Sequence, residues 1–190
     1  MQNFIEDLSS SKPAPGGGAA SAMFSVLGTA LTSMVCALTE GKPKYAEHEP
    51  VVKEAHEQIL ALQEKSKQLM DDDKRAFLAI SDAYKQANHD AIQKALPLAT
   101  QVPLDIMKTA AKGLDITESL IGITNKMAVS DLGCAALGFK AAIKGAWLNV
   151  YINLQSFDEK PAEYSEEAKE ILDTYLTKAD KIYNRVENEI

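Results

Sequence analysis

The chain has 190 residues, 46% of them hydrophobic and 25% charged, with 20 basic against 27 acidic side chains and a formal charge of −7. That balance predicts a soluble globular chain folding as one domain over residues 1–190. With Arg75 and Arg185 as its only arginines and no basic patch, it argues against nucleic-acid binding.

Residues 2–9 (QNFIEDLS) predict one or two helical turns with Phe4, Ile5 and Leu8 on one face. The stretch KPAPGGGAASAM at 12–23 then breaks the helix with two prolines and three consecutive glycines. A helix from Ala19 to Leu38, rich in Ala, Ser, Thr and Gly, follows and permits close approach by another helix or by the same helix of a second subunit. Its apolar run MFSVLGTALTSMVCAL is shorter than a bilayer span, so it reads as a buried helix of a protein without a membrane partner. No signal segment is visible, and Cys36 and Cys134 read as two buried thiols of a reducing, cytoplasmic compartment.

The next helical region starts near Pro50 and carries Val52, Ala55, Ile59, Leu62, Leu69, Phe77, Ile80 and Tyr84 at helical spacing. It reads as one long helix or as two joined at the acidic triplet 71–73. A third helix is expected over 101–122 with Pro103 in its first turn. Ser130 is the expected N-cap of a fourth helix, apolar nearly all round, and Pro161 opens an amphipathic last one. The fold class is therefore all-α: a bundle of five or six principal helices in a single domain.

Several polar residues fall on apolar faces. Asp73 follows Leu62, Ser66 and Leu69 down one stripe, which makes it either a buried carboxyl suited to proton transfer or the cap of a new helix at Lys74. Asn149 and Asn153 stand four apart behind Ala135, Ala142 and Ala146, and either bridge helices or face a ligand. Asp131 with Ser130 caps a helix or opens a pocket, and Lys140 with Lys144 reaches solvent or ligand carboxylates. Gly16, Gly17 and Gly18 bare backbone N–H groups at a helix start, a seat for a carboxylate or a polarised carbonyl, without the lysine of a nucleotide phosphate loop. His48, His56 and His89 have no metal-ligand spacing, and no serine sits in a nucleophile-elbow context.

PAPGGG before a small-residue helix, DDDKRAF, ATQVPLDI and SDLGCAA…GAWLNVYINL together resemble the formiminotransferase-cyclodeaminase C-terminal domain family, in consistent order along the chain. Relatives in that family include stand-alone cyclodeaminases and methenyltetrahydrofolate cyclohydrolases. The resemblance implies a helical homodimeric enzyme with a one-carbon tetrahydrofolate as substrate, no permanently bound cofactor and no metal. Two reactions are implied: cyclisation of 5-formiminotetrahydrofolate with loss of ammonia, or opening of 5,10-methenyltetrahydrofolate by water. The matching positions are Gly16, Gly17, Gly18, Asp73, Phe77, Pro103, Ser130, Asp131, Asn149 and Asn153, with Asp73 and Asp131 as the expected acid–base pair and Lys140 and Lys144 as candidates for the folate tail. After AYKQA the chain runs directly into NHDAIQKAL, where longer relatives carry a Pro-containing acidic turn. The rival class is a non-catalytic helical dimer that keeps only the fold.

Overall fold

The computed structural model describes residues 2–190, and every regular element among them is helical. The short α1 (Gln2–Leu8) precedes the proline-glycine break, and α2 (Gly17–Ala37) begins inside the glycine run, two residues earlier than its first alanine. A 3-10 turn, Pro43–His48, leads into α3 (Glu49–Lys85), which is continuous through the acidic triplet. No glycine or proline interrupts it beyond its first turn, so nothing forces the alternative break at 71–73.

The third long helix corrects the sequence reading. Helix α4 spans His89–Ser119, twelve residues longer at its start than expected, and both Pro97 and Pro103 lie inside it. The Asn88 side chain sets the true start by accepting from Ala91 N at 3.0 Å. A proline within a helix leaves the carbonyl four residues earlier without its usual donor. For Pro103 that carbonyl is Ala99 O, and Asn153 Nδ2 from the neighbouring helix donates to it at 2.6 Å. The α3–α4 junction turns tightly at Ala87, which takes a left-handed φ of 49°.

A 3-10 turn, Lys126–Ala128, with the Asn125 side chain accepting from Met127 N, feeds α5 (Val129–Leu154). Ser130 is therefore already helical and does not cap it. Helix α6 (Ala162–Glu187) opens after Pro161, as expected.

Helices α2, α3, α4, α5 and α6 pack around one core, with α2 between α3 and α5. Small residues bring α2 and α5 together: Gly138 lies against the Phe24 carbonyl and Gly145 against Ser21. The buried Phe139 ring fills a slot between α2 and α4 that only glycine leaves open, since a Cβ on Gly113 would stand 2.4 Å from the ring and one on Gly28 2.9 Å. Ser25–Ser66 and Thr32–Thr117 hydroxyl pairs, each at 2.9 Å, satisfy buried polar atoms across α2–α3 and α2–α4. At 21 residues α2 is long and apolar enough to cross a bilayer by composition, longer than the run first counted, but in this fold half of that stretch is buried against protein.

Cys36 is buried and its thiol is pushed up to about 12 by burial, whereas Cys134 is exposed on α5, correcting the expectation of two buried thiols.

Candidate active site

Asp73 projects from α3 onto the first turn of α2. Gly16 is the N-cap of that helix and provides no side-chain cap, while Gly17 and Gly18 are its first two helical residues. The Asp73 carboxyl occupies the space that a side chain at Gly18 would need, a Cβ there falling 1.9 Å from Oδ1. The backbone amide of Ala19 faces the carboxyl and favours its ionised form. Asp73 is a half-buried carboxyl, as one sequence reading has it; the other, a cap for a new helix at Lys74, fails because α3 is continuous, and the helix N-terminus the carboxyl meets is that of α2.

Burial pushes the Asp73 carboxyl up to about 6, against the smaller, lowering effect of the Ala19 amide. A carboxyl titrating there exchanges protons close to neutral pH.

Asn149 closes the other side. A Cβ on Gly17 would meet Asn149 Nδ2 at 3.7 Å and Oδ1 at 3.9 Å, so the amide lies along the glycine backbone. One Nδ2 proton goes to Gly145 O at 2.9 Å, which leaves the second proton and Oδ1 for a ligand. Three helices therefore bring together a titratable carboxyl, a half-buried amide and a side-chain-free backbone. Phe77 stands one turn after Asp73 with 43% exposure and supplies an apolar surface at the rim.

The remaining candidates separate from this centre. Asn153 is engaged with Ala99 and bridges helices. Asp131 and Ser130 sit at the opposite end of α5, eighteen residues and about 27 Å from Asn149 at 1.5 Å per residue. The expected acid–base pair of Asp73 and Asp131 is thus not formed within one chain, because α5 is one unbroken helix whose ends cannot meet. Lys140 is ion-paired with Asp180 of α6, and Lys144 is exposed.

The structure also contains a relay that spacing did not reveal. Ser33 Oγ lies 2.9 Å from His56 Nε2, and His56 Nδ1 lies 2.5 Å from Glu40 Oε1. Ser33 is in mid-helix, where backbone N–H groups are used by the helix itself, so the relay lacks the free donors that acyl transfer requires. Its evident work is to tie the end of α2 to the start of α3.

The family model described as Formiminotransferase-cyclodeaminase matches residues 1–174. The chain is 35% identical to a methenyltetrahydrofolate cyclohydrolase of Methylorubrum extorquens over 203 aligned residues, covering 100% of this chain and 97% of that protein. It is 29% identical to a formimidoyltransferase-cyclodeaminase of Mus musculus over 84% of this chain, but spans only 31% of that longer protein. Among solved structures, a formiminotetrahydrofolate cyclodeaminase from Thermotoga maritima superposes with a TM-score of 0.87 at 28% identity, covering 100% of this chain and 94% of that one.

Proposed function

Because the chain belongs to the formiminotransferase-cyclodeaminase family, we propose that it catalyses acid–base chemistry at the one-carbon bridge between N5 and N10 of tetrahydrofolate, with Asp73 as the proton-transferring group. The observation that carries this reading is the Asp73 carboxyl, raised to about 6 and held against Gly18 and the Ala19 amide. In the hydrolytic direction, water attacks the methenyl carbon and its C–O bond forms as the iminium electrons withdraw to nitrogen. Ionised Asp73 takes the water proton. It then returns that proton to N5 as the C–N5 bond breaks, and the carbinol hydroxyl releases its own proton to solvent as the C=O forms, leaving the formyl group on N10. In the ring-closing direction, N10 attacks the formimino carbon and its proton passes to the exocyclic nitrogen; protonated Asp73 supplies the second proton, and ammonia leaves with the C–N bonding pair as the methenyl cation forms. Both routes pass through one tetrahedral carbon, and proton transfer by a placed group contributes about 10²–10⁴-fold.

The end-to-end match to a cyclohydrolase favours the hydrolytic direction, and the likeness to the Thermotoga structure keeps ring-closing deamination as the second reading. Incubation with methenyltetrahydrofolate and, separately, formiminotetrahydrofolate decides between them. Faster loss of methenyl absorbance selects the hydrolase; its appearance with free ammonia selects the deaminase. Inertness toward both removes the enzymatic reading. The substrate is the tetrahydrofolate derivative itself, with no resident cofactor, and the exposed Cys134 suits a reducing cytoplasm.

We further assign a homodimer through the outer face of α2 and α5. Phe24, Leu27, Met34 and Leu38 on α2, and Leu137, Leu148 and Ile152 on α5, form an adjoining exposed apolar face. Two helices side by side over 26 residues offer roughly 800 Å² per partner, the area a stable interface uses. A two-fold axis crossing α5 near Lys140 sets the partner's Asp131 opposite Asn149, the one way that both carboxyls reach a common ligand. Sedimentation of the purified protein checks the assembly, and a monomer carrying full activity removes it.

A further inference from the structure

Two i, i+4 pairs meet where α2 and α5 run antiparallel: Gly17 and Ser21 on α2, Gly145 and Asn149 on α5. Each helix sets a glycine opposite the other's polar side chain. Asn149 lies along Gly17, and Ser21 lies on Gly145, where an ideal Cβ would fall 2.4 Å from Ser21 Oγ and 3.4 Å from its Cβ. Hydrogen bonds then tie each polar group to the glycine of its own helix. Ser21 Oγ donates to Gly17 O at 2.7 Å, and Asn149 Nδ2 donates to Gly145 O at 2.9 Å. The four residues close a ring, and the amide left free to face a ligand is one of them.

A glycine within a helix is unfavourable relative to alanine, so Gly145 is explained by what fills its gap. Ser21 is only 2% exposed, and Gly17 O is its hydroxyl's one acceptor among the described residues. An added methyl at 145 cannot displace that hydroxyl without breaking a buried hydrogen bond, so the two helices separate instead. Separation draws Gly145 O, and the amide held on it, off the Gly17 backbone. Resting on the folate reading above, we propose that Ser21 and Gly145 are a positioning pair for Asn149. Their contact sets the distance between α2 and α5 at which the second Nδ2 proton and Oδ1 of Asn149 face the folate beside Asp73. Neither acts on the substrate except through that amide.

Gly145→Ala overfills the contact and Ser21→Ala leaves a gap in it. The S21A/G145A double variant exchanges the volume between the helices, at the 3.4 Å Cβ–Cβ spacing of ordinary packing. The side-chain amide signals of Asn149 in a proton–nitrogen correlation spectrum, identified by their loss in Asn149→Ala, read its position directly. They are expected to shift in both single variants and to return in the double variant, with helical circular dichroism unchanged throughout. In turnover, an interaction made alike in ground and transition state appears in KM. Gly145→Ala should therefore raise KM about tenfold or more with little change in kcat, and the double variant should recover to within about threefold of wild type. In the Asn149→Ala background, Gly145→Ala should add nothing. Signals that stay in place in both single variants, no recovery in the double variant, or an undiminished KM penalty without Asn149 overturns the pair's role. Shifted and restored signals in a protein inert toward both folates uphold the positioning and remove the proposed reaction instead.

Discussion

Gly18 and Asp73 occupy one space: the side chain that residue 18 lacks is replaced by the carboxyl of residue 73, with only 1.9 Å between an ideal Cβ on Gly18 and Oδ1. The triple glycine that interrupts the sequence therefore has unequal members. Gly16 faces open space, Gly17 makes ordinary contact with Asn149, and Gly18 alone excludes a methyl group.

Gly18→Ala is expected to push the Asp73 carboxyl off the Ala19 amide while the bundle persists. A displacement of about 1 Å at a reacting group costs about 10² in rate. Gly17→Ala, whose Cβ would sit 3.7 Å from Asn149 Nδ2, is expected to cost far less. Steady-state turnover of both variants at matched helical circular dichroism checks this. Equal losses would mean that the glycines serve backbone flexibility and not the seating of Asp73.

Asp73→Asn is expected to trade activity for stability. The native fold holds the Asp73 proton to about pH 6 against an ordinary carboxyl value of 3.8. The stability from this tighter proton binding is complete below pH 3.8, declines as pH rises through 6, and is absent above. By about 1.4 kcal/mol per unit, ionised Asp73 at pH 8 leaves the wild type roughly 2–3 kcal/mol less stable than its protonated form. Removing the charge should raise stability relative to wild type at pH 8, with the advantage shrinking toward pH 4, while turnover falls about 10²–10⁴-fold. Urea unfolding of both proteins across pH 4–8 measures the difference, and a flat difference would show that Asp73 is not desolvated.

The helical class, the α6 start after Pro161 and the partial burial of Asp73 were legible because each depends on periodicity along a single segment. The start of α4 was not. Pro103 reads locally as a helix opener, and its tolerance in the interior comes from Asn153, fifty residues later. Asn149 and Asn153 look alike in sequence, but one turn of α5 directs the first at the Gly17 backbone and the second at the Ala99 carbonyl. The Ser33–His56–Glu40 relay escaped for the same reason: it joins the two sides of a helix–helix connection at irregular spacing. Asp131 illustrates the converse, since the local pattern at a helix start carries no information on which end of the bundle holds the reaction centre.

The last prediction concerns Pro103 and Asn153 as one unit. Asn153→Ala is expected to cost about 1–3 kcal/mol, the penalty of leaving the buried Ala99 carbonyl without a donor. Pro103→Ala restores a backbone N–H four residues after Ala99, so the helix can satisfy that carbonyl itself. In the Pro103→Ala background, Asn153→Ala should therefore cost at least about 1 kcal/mol less than it does alone, a coupling that a double-mutant cycle in urea resolves. Additive losses would show that Asn153 does not compensate for the proline. A rise in KM at undiminished stability would instead return Asn153 to the ligand, where Asn149 alone now stands.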